Sequence, residues 1–99
     1  NPSAENLHAW GVAQLLVGDL DAAIEDLEEA VQQRAGDARL LSDLAAAYLA
    51  RAALPDRSDD FTRALSFAER AARADPGSAE ALFNRALALE KLSLLEQAR

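Results

Sequence analysis

The sequence has no cysteine and no methionine, and only 5% of its 99 residues are aromatic. Without cysteine the chain has no disulfide framework and no thiolate metal site. Its apolar stretches fall far short of the roughly 20 residues that a membrane span requires. Valine and isoleucine together supply only four residues, so a β-sheet is not expected.

Alanine and leucine dominate instead, with 24 and 17 residues. Both are strong helix formers. A composition of 51% apolar and 27% charged residues is typical of one small soluble domain. A chain of this length buries only about 60 to 68% of its unfolded surface. We therefore expect a single all-α domain over residues 1–99 with a thin, elongated core.

The charge balance limits which classes of partner are expected. Seventeen acidic residues against ten basic ones give a net charge of −7. A surface of that sign repels phosphate backbones and anionic lipid headgroups, so neither nucleic acid nor membrane is the expected partner. Arginine outnumbers lysine nine to one, which favours a GC-rich bacterial source. The start Asn1-Pro2-Ser3 does not resemble a signal peptide. It suggests an excised fragment of a cytoplasmic protein.

The sequence also repeats itself. Segment 7–11, Leu-x-x-x-Gly, matches 41–45 after 34 residues, and 41–45 matches 82–86 after a further 41. The helix-breaking segments 35–37 and 76–78 are separated by 41 as well. Several positions therefore give one register, with one unit seven residues longer than the usual period.

A period of 34 residues built from two helices is that of the tetratricopeptide repeat. Trp10-Gly11, segment 18–24 and Ala30-Val31 resemble that repeat, and segment 79–92 is similar to the family's first helix almost throughout. The usual closing proline is replaced by Ala35. The resemblance implies a right-handed α-α superhelix, or solenoid, of about two and a half helix-turn-helix units.

We place the units at 4–37, 38–78 and 79–99, the last one incomplete. The second unit contains the insertion near 54–60, between its two helices, where proline and turn formers predict a loop. The expected helices are 4–17, 20–35, 38–53, 60–74, 79–92 and one from 95 onward.

Local signals support these helices. Gly18 is expected to end the first helix in a left-handed conformation, and N-caps are expected at Ser3, Asp37, Asp59 and Ser78. Trp10 lies on the predicted packing stripe and is expected in the core. Small residues recur where helix backbones must cross closely, and they are Gly11, Ala23, Ala30, Ala45, Ala64, Ala71, Ala86 and Ala98. A large side chain at such a crossing costs about 1 to 3 kcal/mol.

In the resembled family the first helix of each pair lines a concave face that receives the ligand. Read one turn at a time, the matching face of this chain carries His8, Val12, Leu15, Arg39, Ser42, Asp43, Ala46, Leu49, Phe83, Asn84 and Leu87. Family members that capture a terminal carboxylate use lysine and asparagine at positions held here by Glu5, His8, Val12, Arg39 and Ala46, of which only Arg39 is cationic. We therefore expect an apolar or mixed peptide or helix as ligand.

Phe83, Asn84 and Leu87 are the strongest candidates for ligand contact. Two interpretations of Phe83 remain open, because further chain in a longer protein would also bury it. A run of acidic residues allows a second interpretation, as a site for a basic partner. These residues are Asp19, Asp21, Glu25, Asp26, Glu28 and Glu29. We favour a solvated helix face.

The sequence contains no nucleophile motif, glycine-rich phosphate loop or paired carboxylates in an identifiable pocket. His8, the single histidine, has no second ligand at metal spacing. We therefore expect no catalytic residue, cofactor or metal, and no enzymatic activity in these residues.

Three functions are consistent with this. The first is a scaffold that binds a partner's peptide or helix in the groove. The second is a regulatory or substrate-recruiting module of a larger enzyme, since segments 40–52 and 81–87 resemble repeat arrays that precede caspase-like CHAT protease domains in bacteria. The third is self-association as a homo-oligomer, because solenoid ends need polar caps. The C-terminal end is instead an apolar edge of Leu89, Leu92, Leu94 and Leu95.

Overall fold

The computed structural model describes residues 2–98, so Asn1 and Arg99, the two ends of the predicted domain, lie outside it. The described chain is all-α, with five helices and no strand. The helices are α1 (Ala4–Leu16), α2 (Leu20–Gln33), α3 (Ala38–Ala52), α4 (Asp60–Ala74) and α5 (Ala79–Gln97). The first four agree with the predicted bounds to within two residues.

Local chemistry explains where the helices begin and end. The side chains of Ser3, Asp37 and Ser78 accept hydrogen bonds from backbone N–H groups in the first turns of α1, α3 and α5, as predicted. Gly18 has φ +84°. The N–H of Gly18 donates to the carbonyl of Leu15, and the N–H of Asp19 donates to the carbonyl of Gln14. These two hydrogen bonds form a Schellman motif at the end of α1.

The last helix differs from the prediction. We expected a break near residue 93 and a new helix from 95, but α5 continues to Gln97. Segment 91–95 contains neither glycine nor proline, so nothing in its backbone chemistry interrupts the helix. The predicted break depended on the repeat register alone, and the prediction is wrong.

Each helix packs against the next along the chain, and α3 also contacts α1 and α5. Within residues 2–98, no Cα atom of α2 lies within 8 Å of one in α4. Because α3 lies next to both α1 and α5, we call these three helices the α1, α3 and α5 row. The helix α3 lies at the centre and has the most buried residues, among them Leu40, Leu41 and Leu44. The molecule measures 44 × 30 × 19 Å, consistent with the expected elongated core.

Most of the small residues lie where close packing was predicted. Gly11, Ala23, Ala30, Ala45, Ala64 and Ala71 are buried. Ala86 and Ala98 are exposed, so the prediction is wrong for both. The reason is the continuous α5, because the helix that would cross α5 at Ala86 is not formed within the described residues.

The prediction that Trp10 lies in the core is also wrong, because half of its surface is exposed. The comparison with Leu44, 34 residues later, gives the reason. Leu44 is completely buried and lies in a groove with Val31 of α2 and Phe67 of α4. Trp10 is on α1, which contacts only α2 and α3 among the described helices. One side of Trp10 therefore stays open.

Candidate functional site

The row formed by α1, α3 and α5 carries an open depression of about 440 Å³. Its lining combines three carboxylates, one guanidinium, the imidazole and two small apolar side chains. The lining residues are Glu5, His8, Ala9, Val12, Arg39, Asp43 and Glu80. We call this surface the α1/α3/α5 depression. Its mixed lining can provide ion pairs, hydrogen bonds and apolar contacts to a segment lying across the helices.

A hydrogen bond connects two of these helices at the floor. Nε2 of His8 on α1 lies 2.5 Å from Oδ2 of Asp43 on α3. Both side chains are partly buried. Arg39, one turn before Asp43, is exposed, and its guanidinium has no partner among residues 2–98. The cation is therefore available to a ligand, whereas the imidazole is already engaged.

The structure brings together four of the predicted groove residues at the depression: His8, Val12, Arg39 and Asp43. Three others, Leu15, Ala46 and Leu87, are half-buried. Phe83 is 65% exposed on α5, one turn beyond Glu80 of the lining. It therefore lies beside the depression as a free aromatic side chain.

Ser42, Leu49 and Asn84 are buried, so these three do not line the predicted surface. Neighbouring residues on a helix point about 100° apart. Ser42 precedes Asp43 and Asn84 follows Phe83, and each is turned toward the interior. The Asn84 amide donates a 3.2 Å hydrogen bond to the carbonyl of Ser42. The Asn84 amide thus links α5 to α3, so the prediction that Asn84 contacts a ligand is wrong.

An ion cluster that was not predicted from the sequence lies at the other end of α3. Arg51 donates to Asp60 at 2.7 and 3.1 Å and to Asp21 at 2.7 Å, and Arg63 donates to Asp60 at 3.0 Å. The Asp60 side chain is only 2% exposed. The hydrogen bonds from Arg51 lower the pKa of Asp60 despite its burial. In return, the hydrogen bond to Asp60 raises the pKa of Arg51.

Next to this cluster, Tyr48 joins three helices. Its ring stacks on Phe67 of α4 with centroids 5.7 Å apart, and its hydroxyl donates to Glu28 of α2 at 2.6 Å. Burial, with the Glu28 hydrogen bond second, raises the pKa of Tyr48. These contacts also engage Glu28 of the predicted solvated run. A signal existed in the sequence, because Arg51 lies three residues after Tyr48 on the apolar stripe of α3 and a buried charge there requires a partner.

Comparison with protein-family models found no match for this chain. Across the described part of the chain, no cluster of three or more histidine, aspartate or glutamate side chains is arranged to hold a metal ion. None of the helices within residues 2–98 has both the length and the apolar character needed to cross a bilayer.

Proposed function

We propose that this chain is a non-catalytic interaction module, similar to a tetratricopeptide repeat array, that binds a peptide or helix of a partner protein on its α1, α3 and α5 row. The observation that carries the proposal is the α1/α3/α5 depression beside the exposed Phe83. Three separate helices contribute to it, and its lining includes a free cation, Arg39, and an apolar side chain, Val12. Surfaces of this kind suit segments that carry both apolar and charged side chains.

The helix contacts support the comparison with a repeat array. The helix α3 contacts both α1 and α5, whereas the Cα atoms of α2 and α4 are nowhere within 8 Å of each other in the described chain. An array in which one row is closer packed than the other curves toward the closer row. This arrangement favours α1, α3 and α5 as the concave side.

The charges around the depression indicate the chemistry of the partner. Glu5, Asp43 and Glu80 outnumber the single Arg39, so a free terminal carboxylate is poorly matched. A segment with one apolar side chain for Phe83 and at least one basic side chain for Glu5 or Glu80 is better matched. We propose a partner peptide of that mixed type.

The test is selection from a random peptide library displayed on phage, with the full chain immobilised. The bound peptides are then measured against Phe83→Ala, and against Leu16→Ala as the matched control, because Leu16 is 82% exposed on the end of α1. We expect Phe83→Ala to weaken binding at least about tenfold, the effect of losing one aromatic contact. Leu16→Ala should leave binding unchanged.

Thermal unfolding of the two variants distinguishes ligand contact from folding. Phe83→Ala should leave the Tm close to that of the wild type, because the ring is mostly in solvent. A large fall in Tm would assign Phe83 to the core. Selection of peptides that bind both variants equally well would contradict the proposed site.

A further inference from the structure

Helix α5 also exposes an apolar surface, which lies on the side away from α3 and α4. Its buried side carries Ala81, Asn84 and Ala88. The exposed residues on the other side recur at alternating spacings of three and four, and they are Ala79, Leu82, Ala86, Leu89 and Ser93. We call these five residues the α5 seam. Leu82 is 40% and Leu89 49% exposed, so two leucines seven residues apart are open to solvent on one side of the helix.

This spacing is that of a two-stranded coiled coil. Small residues occupy one core position of the heptad at Ala79, Ala86 and Ser93, and leucines occupy the other at Leu82 and Leu89. Small residues in the seam allow two helix backbones to approach closely. The next core position is Glu96, so the apolar seam ends after two heptads.

The charges on either side of the seam identify a suitable occupant. Arg85 and Glu90 are exposed, lie on opposite flanks of the seam and have no partner within residues 2–98. In a parallel coiled coil, a residue on one flank faces the residue five positions later on the opposite flank of the other helix. Arg85 of one copy therefore faces Glu90 of a second copy, and the two-fold symmetry forms this ion pair twice. In an antiparallel pair Arg85 would face the flank that contains Arg85 and Leu92.

We propose that two copies of this chain associate through a parallel coiled coil of their α5 helices, with the α5 seam as its core and two Arg85–Glu90 ion pairs at its edges. The dimer uses neither the α1/α3/α5 depression nor Phe83 as a core residue. Phe83 lies seven residues before Glu90 on the same flank of the seam, so the second copy also approaches Phe83.

The first test is sedimentation equilibrium of the full chain over a concentration series. We expect a reversible dimer for the wild type. Leu89→Glu should give a monomer, because a carboxylate then lies in the apolar core of the coiled coil. Leu16→Glu is the matched control, since Leu16 is more exposed than Leu89 and lies on α1, and it should remain dimeric. A wild type that stays monomeric at every concentration overturns the proposal.

The second test determines the orientation by charge exchange. Arg85→Glu places two carboxylates opposite each other in a parallel pair, and it should raise the dimer Kd about tenfold. The double variant Arg85→Glu with Glu90→Arg restores opposite charges and should return the Kd to the wild-type value. If the double variant is no better than Arg85→Glu alone, the parallel arrangement is wrong.

The absence of cysteine from the chain allows a direct third test. In a parallel pair Ser93 of one copy lies next to Ser93 of the other, so Ser93→Cys should form a disulfide-linked dimer under mild oxidation. Ser66→Cys, on the exposed surface of α4, is the matched control and should remain monomeric in denaturing electrophoresis. Absence of the Ser93→Cys link in a protein that sediments as a dimer would also contradict the parallel arrangement. Circular dichroism of each variant verifies that the helices are intact.

Discussion

At the scale of single residues, Gly11 sets how closely α1 approaches α2. A Cβ at this position would lie 2.6 Å from Cγ and 2.8 Å from Cδ2 of Leu27, a completely buried side chain. Such distances require Leu27 or the helix backbone to move. The close approach predicted from the repeat register therefore has a defined steric cause.

We expect Gly11→Ala to lower the free energy of unfolding by about 1 to 3 kcal/mol, because this overlap outweighs the gain of about 1 kcal/mol from the higher helix propensity of alanine. Urea denaturation followed by circular dichroism measures it. Gly36→Ala is the control, because a Cβ there meets no atom within 4 Å and the glycine has no positive φ. Equal stabilities of the two variants would show that α1 and α2 are not closely packed at Gly11.

The buried carboxylate of Asp60 provides a prediction about pH. Its pKa is lowered in the folded state by Arg51, so the ion cluster stabilises the fold at pH values above the unfolded-state pKa of about 4. That stabilisation is lost as the pH falls below about 4 and through the folded-state pKa. We expect Asp60→Asn to lose about 3 kcal/mol at neutral pH, because it leaves Arg51 poorly paired.

The corresponding measurement is urea denaturation of wild type and Asp60→Asn from neutral to acid pH. The difference between the two proteins should narrow as the pH falls below about 4 and through the lowered folded-state pKa of Asp60. A difference that stays constant through the acid range would show that the charge of Asp60 does not stabilise the fold.

For Ser42 we expect a substitution to increase the stability of the protein, not to decrease it. It is 1% exposed, and its hydroxyl oxygen has no hydrogen-bond partner among the described residues. Removing an unpaired buried hydroxyl is favourable, and alanine is the better helix former. We therefore expect Ser42→Ala to raise the free energy of unfolding by about 1 kcal/mol, measured in urea. A loss of stability would reveal a hydrogen bond that Ser42 makes in solution.

At the scale of helices, the starts were the most predictable feature, because an N-cap depends on one side chain and its nearest backbone. Asp37 accepts from the N–H groups of both Arg39 and Leu40. Asp59 also precedes a helix as predicted, but its side chain makes no capping bond. The sequence signal is the same at both positions, and only the backbone conformation distinguishes them.

We expect Asp37→Ala to destabilise the protein by about 1 kcal/mol. Asp59→Ala should cost no more than a few tenths. Thermal unfolding of the two single variants provides the comparison, since each removes one carboxylate from a helix start. Equal losses would show that charge near the helix end matters more than the hydrogen bonds.

Other features of the helices could not be predicted from the sequence. The end of α5 depends on whether another helix is present to pack on it, which a periodic pattern does not reveal. The same pattern locates a helix face only to within one residue, or about 100°. That uncertainty explains why Asp43 and Phe83 reach the surface while the adjacent Ser42 and Asn84 are buried.

At the scale of the whole molecule, α3 connects the other helices and contributes to both the ion cluster and the α1/α3/α5 depression. It contacts all four other helices. One end carries the ion cluster around Asp60, and the opposite end contributes Arg39 and Asp43 to the depression. The alanine- and leucine-rich composition predicted the all-α fold. The Arg51 and Tyr48 contacts were not predicted, because they join side chains that are distant in sequence and follow no repeat.

We propose that a partner peptide binds to the α1, α3 and α5 row. The most direct measurement is two-dimensional ¹H–¹⁵N NMR of the labelled chain during titration with a peptide selected on the wild type. We expect the largest amide shifts at His8, Arg39 and Phe83 and at the residues around them. Shifts confined to α2 and α4 would contradict it.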